Sequence, residues 1–166
     1  MPEVSDATEE VVNGEVRITP PAKWIHALTV GNIRYALMGQ LDRPEFHVAT
    51  AQFGLVIRMA PLTVRVPDLA VFEDSKIIER DGYVHSAPQL VAEVILPGEP
   101  PDEELTDYAA IGVPEVWVVT PAARTVEVLC LEDGKLHCTQ ILADEGALTP
   151  REFPHVRVET SSFWPD

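Results

Sequence analysis

The sequence has no long hydrophobic run and no segment that resembles a targeting signal. No apolar run approaches the roughly 18 residues that a membrane-spanning helix needs. The N-terminus, MPEVSDATEE, is too acidic and polar for a secretory signal peptide. These two absences predict a cytoplasmic protein that does not enter a membrane.

Basic residues are scarce and unevenly spread. Twelve Lys and Arg face 27 Asp and Glu, which gives a formal net charge of −15. None of the twelve falls between Arg80 and Arg124, whereas eight acids do. Proteins that grip phosphates usually show a basic patch, so this charge disfavours DNA as a partner unless metal ions or another chain offset it. The simpler alternative is an acidic surface that serves solubility.

Cysteine is also scarce, with Cys130 and Cys138 in the stretch VEVLCLEDGKLHC. The Asp133-Gly134 pair between them predicts a two-residue hairpin turn. That register sets Cys130 opposite His137 and Cys138 opposite Leu129. The two thiols then point to opposite faces, which argues against a disulfide. A zinc site built from Cys130, His137 and Cys138 would lack the usual spacing and a fourth ligand.

What is present suits one folded domain. The 166 residues, 46% of them hydrophobic, are enough for one core. No repeat or linker divides them, so we expect a single domain over 1–166. Apolar spacing predicts a long amphipathic helix over about 22–41, with Trp24 on its apolar face. A shorter helix is predicted from Pro101 or Asp102 to about Ile111.

Strand signals surround both helices. The Asn13-Gly14 pair predicts a first hairpin. The further predicted strands are FHVATAQF, GLVIRM, VRVPDLAVFE, LVAEVIL, EVWVV and, last, FPHVRVE. The stretch SKIIERDGYVHSAP is interpreted as a loop. This mixed order predicts an α/β or α+β domain with a central mixed sheet.

Two acids stand out because each lies on a predicted strand. Glu93 interrupts the apolar run LVAEVIL, and Asp68 follows Pro67 on a separate strand. Two such strands side by side bring one carboxylate each to a strand end, which is a common way to hold Mg²⁺. Such a cation can activate water for attack on a phosphoryl group. The alternative is that each acid is edge-exposed or hydrogen-bonded and holds no metal.

Several stretches, taken in order, carry a resemblance to a known family. They are EEVVNGEVRITPPAKWIH, RVPDLAVFED, APQLVAEVILP, DYAAIGVPEVWVVTP, RTVEVL and GALTPREFPHVRV. In them the chain resembles the Uma-two family of bacterial proteins with the PD-(D/E)xK nuclease fold. The resemblance implies a restriction-endonuclease-like core, in which helices flank a central mixed sheet and β-hairpins lie at the periphery. It also implies metal-dependent hydrolysis of DNA phosphodiesters.

The resemblance assigns roles to individual residues. Asp68 would be the motif aspartate and Glu93 the second metal ligand. The carbonyl of Val94 would be a third ligand to the cation, Mg²⁺ or Mn²⁺. Glu15 would be the acid contributed by the N-terminal region. His26 matches a histidine near the start of the long helix. A catalytic role and a structural role, by packing or hydrogen bonding at the helix N-terminus, both stay open for it.

Three further positions match the family pattern around the short helix and the next strand, namely Tyr108, Gly112 and Trp117. For these we expect packing rather than chemistry. Two of the departures from the pattern concern the lysine. The fold's usual lysine, two residues after the glutamate, is Ile95, and the lysine that the family carries four residues before the tyrosine is Glu104.

The missing lysine changes the functional expectation. Such a lysine orients the attacking water and offsets charge at the phosphate, and Glu104 can do neither. We therefore expect a weakened endonuclease, or else a non-catalytic homodimeric module for binding or assembly. If the chain is active, Lys23 or Lys76 would have to supply the cation. A homodimer is expected because FHVATAQF and GLVIRM carry more apolar side chains than one small sheet covers.

Overall fold

The structure, a computed structural model, describes residues 7–166. Within that range there are two α-helices, α1 (Trp24–Met38) and α2 (Asp102–Ala110), and fourteen strands. In chain order, β1 to β14 are Thr8–Val12, Glu15–Thr19, Phe46–Thr50, Leu55–Met59, Leu62–Arg65, Leu69–Glu73, Glu79–Arg80, Tyr83–Val84, Leu90–Val94, Glu115–Thr120, Thr125–Glu132, Lys135–Ala143, Ala147–Leu148 and Val158–Glu159. Neither helix in this range is long and apolar enough to cross a membrane.

A central six-stranded sheet has the order β12-β11-β10-β9-β6-β3. Strands β9 and β10 run parallel, while the other neighbours are antiparallel. Alternate side chains of β9 enter two different cores because successive residues of a strand point to opposite faces. Leu90, Ala92 and Val94 join the core on the α1 face. Val91 packs with Tyr108 on the α2 face. The α+β class, with a mixed sheet between helices, is confirmed.

A second six-stranded sheet has the order β2-β1-β5-β4-β8-β7. Leu55 of β4 joins this sheet to the core on the α2 face. Its β1–β2 hairpin turns at Asn13-Gly14, and the β11–β12 hairpin of the central sheet turns at Asp133-Gly134. All four turn residues have positive φ, as a two-residue turn of this type requires. Both predicted hairpins are therefore confirmed.

The register of the β11–β12 hairpin also agrees with the prediction. Cys130 lies opposite His137, and Leu129 lies opposite Cys138. Both cysteines are free thiols. The hairpin places them on opposite faces of the sheet, as the two-residue turn dictates.

Three predictions about secondary structure were wrong in part. The stretch SKIIERDGYVHSAP is no plain loop, because it contains the β7–β8 hairpin around Asp81-Gly82, which also has positive φ. FPHVRVE forms a strand only at Val158–Glu159. Trp24 begins α1 but is 76% exposed, because the buried face of the helix is formed by Val30, Ile33 and Leu37.

Candidate metal centre in an acidic cleft

Asp68 and Glu93 lie next to each other because of the register between β6 and β9. Leu69 pairs with Ala92 and Ala70 with Val91, so one further step places Asp68 opposite Glu93. Both carboxyl groups point to the α2 face, and they are close enough to share a hydrogen bond when one is protonated. The structure therefore brings together the two acids that the sequence picked out.

The backbone of Val94 completes the oxygen-rich end of this strand pair. Its N–H donates to Oδ2 of Asp68 at 2.8 Å, which fixes the aspartate side chain. The Val94 backbone also contributes to the raised pKa of His26, after Asp68 as the main cause, and Val94 lines the same cleft as the two acids. Two carboxylates thus lie side by side at this strand end, next to the Val94 backbone, and hard oxygen ligands of this kind suit Mg²⁺ or Mn²⁺.

Glu93 is held by a tyrosine rather than by a cation. The Tyr108 hydroxyl donates to Oε1 of Glu93. Burial raises the pKa of Glu93 well above its ordinary value of 4.5, and the nearby charge of Asp68 raises it further. Burial likewise raises the pKa of Tyr108 well above 10.0, with Glu93 adding to the effect. The expectation that Tyr108 serves packing alone was therefore incomplete, because it also orients a candidate ligand.

His26 is the nearest basic group to this carboxylate pair. Its Nε2 lies 3.1 Å from Oδ2 of Asp68, and the two side chains are only 18% and 20% exposed. The hydrogen bond with Asp68 raises the pKa of His26 above 6.5, although burial acts against this. Nδ1 of His26 is buried without a hydrogen-bond partner among residues 7–166. His26 therefore contacts Asp68 near the start of α1, and this contact is compatible with both the structural role and the catalytic role considered for it.

These groups line one wall of a cleft of about 540 Å³. The opposite wall is formed by the segment before α2 and by Glu104. Lys23, directly before α1, also lines the cleft. Lys76 does not, because its ammonium group pairs with Glu73 at 2.8 Å on an exposed turn. Of the two lysines that could replace the missing one, the fold brings only Lys23 to the cleft.

The placement of Glu15 corrects a prediction. Glu15 is exposed on β2, opposite Val12, and it is not among the residues that line the cleft. The cleft acid from the N-terminal region is Glu10 instead. Its Oε1 accepts a hydrogen bond from the N–H of Val66 at 2.9 Å. A shift of five residues crosses the hairpin turn, so Glu15 lies on the strand farther from the cleft.

A buried arginine, absent from our sequence-based predictions, lies behind Glu104. Arg65 is 2% exposed, and its Nε donates to Oδ2 of Asp107 at 2.8 Å. Its Nη1 lies 3.2 Å from Oε2 of Glu10 and 3.8 Å from Oε1 of Glu104. Burial acts to lower the pKa of Arg65, but the hydrogen bond to Asp107 and the surrounding acids raise it overall. The acids of β1 and α2 therefore share a buried permanent cation, and Asp107 also pairs with Arg58 at 3.2 Å.

Two other positions that match the family pattern serve the fold. Trp117 is fully buried, and its Nε1 donates to Oε1 of Glu115 at 2.8 Å. Gly112 has a φ of +84° directly after α2, a conformation that glycine adopts without strain. Both observations agree with the packing roles expected for them.

The donor set at the cleft is small. Among residues 7–166, no group of three or more His, Cys, Asp or Glu side chains is arranged to hold a metal ion. The candidate site has two such carboxylates, and Mg²⁺ often takes only one or two together with water and substrate oxygens. The residues present therefore fit a hard divalent cation that keeps part of its water shell.

Comparisons with known proteins agree with this architecture. A crystal structure from Anabaena variabilis ATCC 29413, described as a "putative nuclease belonging to DUF820", is similar with a TM-score of 0.76 and 14% sequence identity. The match covers 94% of this chain and 89% of that one, and at this identity it shows that the fold is nuclease-like. No curated protein matches the chain. Residues 1–161 match the Uma2 family, described as "Putative restriction endonuclease", and the chain belongs to that family.

Proposed function

We propose that this protein is a divalent-metal-dependent phosphodiesterase that cuts DNA with low turnover. The observation that carries the proposal is the side-by-side placement of Asp68 and Glu93 at one strand end, where the Val94 backbone lies beside them. Membership of a family described as restriction endonucleases supports the substrate class. The cleft beside these groups gives a phosphodiester room to approach.

Asp68, Glu93 and the Val94 carbonyl would hold the cation, Mg²⁺ or Mn²⁺. At such a site a divalent cation supplies an activated water and stabilises charge on the phosphate. The Tyr108 hydroxyl orients Glu93 through its hydrogen bond. The N–H of Val94 orients Asp68 in the same way. Neither orienting group carries a charge, so both leave the negative charge of the pair available to a cation.

The low turnover follows from the charges that line the cleft. Five acids line it, namely Glu10, Asp68, Glu93, Glu99 and Glu104, against one lysine and one histidine. Extra acids attract a divalent cation but repel the phosphate that has to reach it. The basic residues His26 and Lys23 lie at the N-terminus of α1. They are the groups that would face an approaching phosphate.

The test is a metal titration paired with a cleavage assay. We expect the wild-type protein to bind Mg²⁺ or Mn²⁺ by calorimetry and to nick supercoiled plasmid slowly. Asp68→Asn and Glu93→Gln should each remove both activities. Glu99→Gln is the matched control, because it deletes the same charge from an exposed acid of the same cleft. Metal binding that survives Asp68→Asn would overturn the assignment of the ligands.

A second candidate is a non-catalytic module on the same fold. The observation that favours it is Glu104, which stands in the cleft in place of the family's lysine, 3.8 Å from Arg65. This candidate predicts that metal binds normally while plasmid stays intact at any Mg²⁺ or Mn²⁺ concentration. The assays above therefore separate the two functions, because only the first links metal binding to cleavage.

A further inference from the structure

We propose that the protein forms a homodimer through the open face of the second sheet. This face is a trough of about 840 Å³ between β1, β4 and β5, closed at one end by the β7–β8 hairpin. Its apolar lining includes Val11, Val16, Val56, Leu62, Val64 and Tyr83. The occupant we assign to it is the same surface of a second copy.

The first argument is that the apolar face of β5 points away from the core, which is unexpected in a monomer. In an isolated two-sided sheet the apolar residues of a strand face the core. Here Thr63 and Arg65 face inward and are 0% and 2% exposed. Leu62 and Val64 line the open trough. An apolar face on the solvent side of a strand indicates that another surface covers it.

The second argument is that exposed apolar side chains are concentrated at this face. Val16 and Met59 line the trough and are 64% and 68% exposed. Ile18, two residues after Val16 on β2, points to the same face and is 64% exposed. Leu62 and Tyr83 add to the set. Scattered exposed residues need no explanation, but a contiguous group of this kind marks an interaction surface.

Size points to a protein partner rather than a small ligand. Nineteen residues line the trough, and a stable protein interface uses roughly 20–30 residues on each side. The trough is concave, so two troughs cannot simply face each other and fill the space. One wall of each copy has to insert into the trough of the other copy. The β2 edge, with Val16 and Ile18, is the wall that carries apolar side chains to do so. In a two-fold dimer each β2 edge would enter the trough of the other copy.

Charge selects the orientation of this dimer. The sheet order places β1 near one edge and β7 at the other. Glu9 of β1 and Arg80 of β7 both line the trough. A two-fold axis that lies between the two sheets and runs parallel to their strands brings the β2–β1 edge of one copy to the β8–β7 edge of the other. Glu9 then meets Arg80 twice. Asp81 lies beside Arg80 in the trough, so the pairs offset only part of the repulsion expected between two chains of charge −15.

The dimer would also border the acidic cleft. Thr8, Glu10, Ala51 and Val66 line both the trough and the cleft. A second copy seated in the trough therefore lies along one side of the candidate metal centre. The proposal itself does not require cleavage, because oligomeric state is measured without substrate.

The test measures mass by sedimentation equilibrium across the micromolar range. We expect the wild-type protein to have twice the chain mass of 18.3 kDa. Ile18→Glu occurs twice in a two-fold interface, so it should raise the dissociation constant by about a hundredfold, roughly tenfold for each copy of the substitution. Ile141→Glu is the matched control, because Ile141 is 62% exposed on β12, outside the trough. It should leave the dimer intact.

A charge exchange tests the orientation. Glu9→Arg and Arg80→Glu should each weaken the dimer, and the double variant should restore it. Both residues are exposed, so the monomer should fold in every case, as circular dichroism would verify. A monomeric wild-type protein, or a dimer that tolerates Ile18→Glu, overturns the proposal. A double variant that stays monomeric overturns the two-fold arrangement.

Discussion

Two clusters of acids lie side by side on the α2 face of the central sheet, and they differ in how their charge is balanced. Asp107 and Glu10 contact the guanidinium of Arg65, which carries a charge at any physiological pH. Asp68 and Glu93 face each other instead, and their partners are a histidine and a tyrosine. The first cluster is neutralised by the protein, whereas the second lacks a permanent cation.

This difference separates a structural role from a reactive one. When a buried acid is paired with a cation of the protein, its charge is already neutralised in the folded state. Such an acid has little further attraction for a metal ion or another ligand. A buried acid without such a cation has a raised pKa, as Glu93 does because of its burial and the nearby charge of Asp68. Such a pair is stabilised when a cation arrives. Perturbed carboxyl groups in a cleft are therefore good candidates for a functional site.

Removal of the permanent cation should have the largest effect. In Arg65→Met the partly buried Glu10 loses this cation, and the buried Asp107 keeps only its contact with the more exposed Arg58. We therefore expect a loss in the free energy of unfolding of at most about 3–5 kcal/mol. Urea denaturation at neutral pH measures it. Arg17→Met is the control, because its pair with Glu103 is exposed, at 46% and 63%, and should cost less than about 1 kcal/mol. Equal losses would contradict the structural role of Arg65.

A cation added to the second cluster should raise cleavage. Glu104→Lys restores the family's charge on the cleft wall, and we expect a gain of roughly 10- to 100-fold, part of the 10²–10³ that one electrostatic stabiliser can supply. The new ammonium would lie near Arg65, so a small loss of stability is expected as well. Glu103→Lys is the control, since it changes the net charge equally but does not line the cleft. A gain in both variants would point to general attraction of DNA.

Removal of the charge of Glu93 should stabilise the protein. Because the pKa of Glu93 is raised on folding, ionisation costs stability as the pH rises from about 4.5. We expect Glu93→Gln to raise the free energy of unfolding at pH 7 without metal, because the substitution removes a carboxyl group whose ionisation the fold disfavours.

The pH dependence supplies the check on that prediction. The gain in Glu93→Gln should shrink toward zero as the pH falls to the ordinary glutamate value, because the wild-type carboxyl group is then protonated too. Glu99→Gln, at an exposed cleft acid, should show no such gain. A destabilised Glu93→Gln at pH 7 would mean that Glu93 is already balanced by its neighbours.

The sequence could predict the second cluster better than the first. Glu93 interrupts the apolar strand β9, and Asp68 lies directly before the apolar strand β6. The pairing of β6 with β9 brings the two acids opposite one another. The assignment of Glu15 to the site was wrong. The two strands of a hairpin both carry acids that are close in sequence, and nothing in the pattern shows which strand lies nearer the cleft. Glu10 on β1 has that position.

Arg65 was missed for a different physical reason. The run LTVR alternates polar and apolar residues, and the usual rule places its valine inside. The structure reverses that orientation, so Thr63 and Arg65 are buried. Only the partners of Arg65, which come from β1 and α2, explain the reversal. Such a contact joins residues 42 and 55 positions apart in sequence, and strand periodicity carries no information about it.

The smallest effect concerns the one titratable base of the second cluster. The Asp68 contact raises the pKa of His26 above 6.5, so protonated His26 stabilises the fold below that pH, and the contribution is lost as the pH rises through the raised value. His26→Asn should therefore cost about 0.5–1 kcal/mol at pH 5.5, since the pair is only partly buried, and almost nothing at pH 8. Thermal unfolding across this range measures the difference. His47→Asn, which removes an exposed pair with Asp74, controls for loss of any histidine. If the loss of stability in His26→Asn were the same at every pH, His26 would stabilise the fold by packing in its neutral form. The cluster of Asp68 and Glu93 would then lack even a titratable cation.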